Sequence, residues 1–208
     1  MFNKIINEKD RLIAAIMLVV AGVLIRILLE GVWMDLFFAV AVISILSGLL
    51  LGGYYTFIVP ISAMVISDLY LGNTWIILFV WSGFAAIGII GFLLKKKNCL
   101  TIKKAPTIIF AGIGSVLLYD AWTNFGCWLG WYPHTLNGLT ACYAAAVPFT
   151  LWHLLSTTAA LTAVIIPLAY LKDNKILETD FTINTIERRT TLVVPAAIMI
   201  IAILMTVF

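Results

Sequence analysis

The chain has 208 residues, 63% of them hydrophobic and 11% charged, with a formal net charge of +3 and a mean hydropathy of +1.10. No soluble core requires such a balance, but several bilayer-spanning helices do, so an all-α integral membrane protein is expected and no length remains for a separate catalytic or DNA-binding domain. Nucleic acid is not needed to explain the charge, and Cys99, Cys127 and Cys142 show neither zinc nor CxxC spacing and leave one thiol over from any pair.

After the polar start MFNKIINEKDR, the run from Leu12 to Leu29 is long enough to cross about 30 Å of hydrocarbon if its flanks contribute. It lacks a small-residue cleavage site before polar sequence, so it reads as span one and not as a removable signal. Trp33 to Leu51 makes span two, closed by Gly52 and Gly53. Ser44, Gly48 and Gly52 stand four apart along it, a stripe that lets another helix approach closely. Tyr54 to Leu71 makes span three, with Pro60 inside and Asp68 near its end, and Trp75 to Leu94 makes span four, stopped by Lys95, Lys96 and Lys97. A shorter span five runs from about Thr107 to Ala121, with Pro106 suited to a first helical turn.

The next stretch differs from the rest. Between Tyr119 and Thr157 lie four of the seven Trp, both His and two of the three Cys, together with Gly, Pro and Asn that favour loops. Pro148 divides the following apolar run into a short helix and span six, Phe149 to Leu171. A polar connector, residues 172 to 191, leads to span seven, Leu192 to Phe208. If the spans alternate from a cytoplasmic N-terminus, 12 of the 13 basic residues fall on the cytoplasmic side, as the positive-inside rule asks. That places the chain in the cell (inner) membrane as a multi-pass protein with an extracytoplasmic C-terminus. Six spans are the alternative, with the last run lying on the surface.

This topology sets Glu30, Asp35, Asp68, Asp120 and the segment from Thr123 to Gly138 on the outer side. Arg26 stands four residues before Glu30, a spacing at which opposite charges meet on one helical face. The pair serves structure alone or holds an anionic ligand group. Asp68 and Asp120 each sit at the outer end of a span, and an acid there either fixes a turn, as Gly72 and Asn73 suggest for Asp68, or faces a cavity. Near Asp120, the residues Trp122, Asn124, Trp128, Tyr132 and His134 supply rings for stacking and polar groups for orientation, which a small organic ligand needs. The expected lining is therefore Asp68, Asp120, Trp122, Asn124, Trp128, Tyr132 and His134, with Arg26 and Glu30 adjoining. An interfacial aromatic belt is the plainer reading of the same rings. His153 is expected to hydrogen-bond to a neighbouring helix and not to act as a base.

No H-E-x-x-H, G-x-S-x-G, P-loop or Rossmann pattern occurs in the sequence, so no catalytic residue, cofactor or metal is assigned. The halves show no alignable repeat, which argues against a standalone secondary transporter.

Three runs carry a likeness: VPISAMVISDLYLG at 59–72, TNFGCWL at 123–129 and YPHTLNGLTACYAAAVPF at 132–149. In them the chain resembles a family of membrane proteins related to the substrate-binding S components of energy-coupling factor (ECF) transporters. The resemblance implies an S-component-like six-helix bundle over residues 1–171, with the connector 172–191 and a seventh helix over 192–208 added. It also implies capture of a vitamin-like small molecule from outside, followed by docking on a transmembrane T component driven by two ATPases. A non-catalytic structural or accessory subunit of a larger membrane complex is the alternative expectation.

Overall fold

The computed structural model describes residues 8–29, 37–72, 74–176 and 185–207, and among these the secondary structure is helical throughout. Seven α-helices follow one another: α1 (Glu8–Leu28), α2 (Phe37–Leu46), α3 (Tyr55–Leu71), α4 (Ile77–Lys96), α5 (Ala105–Trp131), α6 (Leu136–Asp173) and α7 (Thr185–Val207). A π-helical turn, Ser47–Leu51, extends α2, and a 3-10 turn, Ile102–Lys104, precedes α5. The helices Glu8–Leu28, Ile77–Lys96, Ile102–Trp131 and Leu136–Asp173 are long and apolar enough to cross a membrane. Shorter apolar helices, Phe37–Leu51, Tyr55–Leu71 and Arg189–Met205, lie at the positions of spans two, three and seven.

Helix α4 is the centre of the bundle. It packs against α2, the π-turn, α3, α5 and α7, and 56% of its apolar window is buried, against 17% for α1. Backbones meet directly along it. A Cβ on Gly48 would lie 2.1 Å from the Gly88 carbonyl oxygen, and one on Gly91 would lie 2.2 Å from that of Ile45. Where lipid is as apolar as leucine, such close van der Waals packing replaces the hydrophobic effect as the force between helices. The small-residue stripe of span two thus serves internal packing at Gly48. The outward faces of α1 and α6 expose Ile13, Met17, Leu151 and Leu155, the side chains hydrocarbon would meet.

Arg11 and Lys95 come together at one end of the bundle, on the carbonyls of the π-turn. Arg11 is fully buried; its Nη2 donates to the Gly52 carbonyl at 2.9 Å and its guanidinium lies 4.8 Å from the Tyr55 ring centre. Lys95 Nζ donates to the carbonyl oxygens of Leu50 and Leu51. Together the two cations satisfy carbonyls that the end of the π-turn leaves without helical partners. At the same end, the Ile102 amide donates to Asp173 Oδ2 at 2.9 Å, joining the start of α5 to the end of α6.

Several expectations need correction. The aromatic stretch is not irregular: α5 continues ten residues past Ala121 to Trp131, and α6 begins at Leu136, so the stretch forms a helical hairpin. Its glycines make room for rings and backbone. A Cβ on Gly130 would lie 1.8 Å from the Trp75 ring, and one on Gly126 would lie 2.6 Å from that of Phe79. Nor does Pro148 divide the helix; α6 runs 38 residues through Pro148 and Pro167, as membrane helices tolerate when neighbours re-satisfy the freed carbonyls. The connector is shorter than expected, because α7 begins at Thr185.

Candidate functional site

The two buried aspartates lie in separate clusters. Asp68, in the last turn of α3, accepts from Arg26 Nη1 of α1 at 2.9 Å on Oδ1 and from Trp81 Nε1 of α4 at 2.9 Å on Oδ2. Arg26 also donates to the Ser67 hydroxyl. Gly72, at φ +78° and with its amide bonded to the Asp68 carbonyl, ends the helix just beyond. An ion pair whose remaining lone pairs and protons are also bonded is what makes buried charge tolerable. Glu30, the expected partner of Arg26, lies outside the described residues, as does Asp35.

Asp120 sits midway along α5, and His153 faces it from α6. His153 Nδ1 and Asp120 Oδ1 are 2.7 Å apart, both side chains are more than nine-tenths buried, and the imidazole stacks on Phe37 of α2 with centroids 4.3 Å apart. Tyr119 meets the same imidazole edge-on. Asp120 Oδ2, by contrast, is buried with no hydrogen-bond partner among the described residues. Asp120 lines a hollow of about 310 Å³, with Thr123, Asn124, Cys127 and Trp131 from α5, Cys142, Ala145, Ala146, Phe149, Thr150 and His153 from α6, and Tyr132 of the turn. Between Asp120 and Trp131 the α5 wall rises roughly 17 Å at 1.5 Å per residue, so the hollow is a groove. Asp120 and His153 form its deep end and the hairpin turn its other.

Of the expected lining, Asp120, Asn124 and Tyr132 come together in this groove. Asp68 and Arg26 do not, being bonded to each other elsewhere. Trp122 donates from Nε1 to the Ser82 hydroxyl of α4 at 2.9 Å and lines a second hollow, of about 500 Å³, between α4, α5 and α7. That hollow is larger, but its side-chain donors are used: Ser115 bonds the Gly112 carbonyl and Tyr143 the Ala121 carbonyl. Trp128 and His134 hold the turn itself. Trp128 Nε1 donates to the Pro133 carbonyl at 3.0 Å, His134 Nε2 lies 2.8 Å from the Leu129 carbonyl oxygen, and the two rings pack with centroids 5.5 Å apart.

Sequence reasoning did not place His153, Thr123, Thr150, Cys127 or Cys142 in the lining. His153 does hydrogen-bond to a neighbouring helix, and its partner is the acid that the aromatic neighbours had already marked. Among the described residues no three His, Cys, Asp or Glu side chains gather as a metal site.

No curated protein and no solved structure matches the chain. A family model does match, over residues 6–179, a range that takes in both aspartates and the whole α5–α6 hairpin. The chain therefore belongs to a family of unknown function (DUF6580).

Proposed function

We propose that this protein is a substrate-binding membrane component that takes a small vitamin-like or heterocyclic metabolite into the α5–α6 groove from the extracytoplasmic side, for uptake. The observation that carries this reading is Asp120, an acid that lines a hollow and whose buried Oδ2 has no hydrogen-bond partner among the described residues. An acid held among membrane helices is costly unless it is paired or faces a cavity, and a bound donor removes that cost. The lining suits the purpose, since Trp131, Phe149 and Tyr132 offer ring faces while Asp120, Asn124 and Thr150 offer polar contacts. The side follows from charge. The hairpin turn lies at the opposite end of α5 from Lys103 and Lys104, which under the positive-inside rule stay in the cytoplasm.

The likeness to S components supplies the partner: a T component with two ATPases, on which the loaded protein docks. Capture is this chain's part, and hydrolysis belongs to the ATPases. A fixed structural or accessory subunit is the second reading, favoured by the Arg26, Asp68 and Trp81 cluster, whose polar atoms are turned on one another. Native mass spectrometry of gently extracted protein separates the two. Uptake predicts a retained small molecule in the wild type that is lost from Asp120→Asn. Lipid alone, together with a partner protein in fixed ratio, would establish the structural subunit instead.

A further inference from the structure

Several of the groove's donors are turned on the protein itself, beside a carboxylate that is not fully bonded. Asn124 Nδ2 donates one hydrogen to the Asp120 carbonyl at 2.7 Å, leaving its side-chain oxygen and its second N–H for a ligand. The Thr123 hydroxyl donates to the Tyr119 carbonyl at 3.0 Å and keeps only lone pairs free. Cys142 Sγ points its hydrogen at the Asn124 carbonyl, 3.4 Å away, and His153 Nδ1 shares its proton with Asp120 Oδ1. The hydroxyls of Thr150 and Tyr132 can play either part. What remains fixed at the deep end is the Asp120 side chain, more than nine-tenths buried and with its Oδ2 unpartnered among the described residues, with Asn124 and Thr123 one turn along the same wall.

A buried carboxylate with acceptor oxygens beside it disfavours anions, whose lone pairs would face its own, and favours a group carrying several N–H bonds and positive charge. Resting on the proposal that this groove binds a ligand at all, we infer that the ligand is a cation: a small flat molecule bearing a protonated amine, amidinium or guanidinium, with its N–H groups toward the Asp120 carboxylate and its ring toward Phe149 and Trp131. Those rings add to the selection, because an aromatic face attracts cations and not anions. A protonated amine can come from a free metabolite or from an aminophospholipid headgroup, and both offer the same donors.

Calorimetric titration of the whole protein in phosphatidylcholine nanodiscs, with empty discs as the blank, tests this with three probes of one shape: benzylammonium, benzyl alcohol and benzoate. The expected result is saturable binding of benzylammonium, tighter than that of either other probe. Asp120→Asn should weaken it about tenfold or more, the effect of removing a charged hydrogen-bond partner, and Thr123→Val about threefold. A matching melting temperature shows that each variant is folded, and Thr123→Val carries the test alone if Asp120→Asn does not fold. Benzyl alcohol or benzoate binding as tightly as benzylammonium would overturn the cation and leave the groove as a ligand site. Benzylammonium binding that neither variant weakens would overturn the placement at Asp120. If none of the three binds, cation and groove fall together. Repeating the titration in phosphatidylethanolamine discs identifies the source. Unchanged affinity assigns the site to a free metabolite, whereas competition upholds the cation and gives it to lipid.

Discussion

Asp68 and Asp120 are both buried aspartates on helices that face α4, and the protein treats them in opposite ways. Asp68 has Arg26 on one oxygen and Trp81 on the other, drawing α1, α3 and α4 together. Asp120 has His153 on one oxygen and, among the described residues, no partner on the other, and it lines a groove between α5 and α6. Burial marks both equally, so burial alone does not distinguish a structural acid from one available to a ligand. What distinguishes them is whether every lone pair is used. A closed set of bonds holds helices in place, and an open one carries a cost that a water or a bound molecule can remove.

The contrast can be broken most decisively at Asp68. Asp68→Ala leaves the Arg26 guanidinium without its counter-charge, and we expect a loss of about 3 kcal/mol, read as a lower midpoint for unfolding in detergent. Replacing both partners at once, Arg26→Met with Asp68→Leu, should recover most of that loss, since an apolar pair of similar volume avoids the desolvation penalty. A neutral single variant would mean that the cluster holds nothing together. At Asp120 the effect on stability should be far smaller. Asp120→Asn keeps an oxygen for the imidazole and should shift the same midpoint by no more than about 1 kcal/mol, even as it empties the groove. The smallest effect belongs to the turn, where Trp128→Phe removes one exposed bond to Pro133 and should cost about 0.5 kcal/mol. Ligand binding in that variant should match the wild type in the same titration.

How far the sequence discloses this arrangement differs between the two aspartates. The helical character, the apolar spans and the packing role of Gly48 follow from hydropathy and residue size, which are local properties. The hairpin does not, because Gly126 and Gly130 read as loop-formers when their task is to admit the rings of Phe79 and Trp75, which lie far off in the chain. The partnership of Asp120 with His153 is hidden for a geometric reason. Asp120 stands eleven residues before Trp131, and eleven residues beyond Leu136 lies Val147, not His153. Side chains on a helix lean toward its N-terminus. In an antiparallel pair Asp120 therefore leans away from the turn while His153 leans toward it, and they meet across Cα positions that counting would set apart. The Arg26 pairing fails to show for a related reason, since the sequence offers Glu30 one turn away while Asp68 arrives from another helix.

The length of α6 has a consequence for how a solute gains entry. Its 38 residues amount to roughly 57 Å at 1.5 Å per residue, nearly twice the ~30 Å of hydrocarbon it has to cross. Such a rod is longer than the hydrocarbon, and in the orientation proposed above an excess at its Leu136 end would stand the turn, Tyr132 to Thr135, at or beyond the headgroups. Water-borne molecules can then arrive laterally, above the bilayer, and descend along the rod toward the acid without ever dissolving in fat.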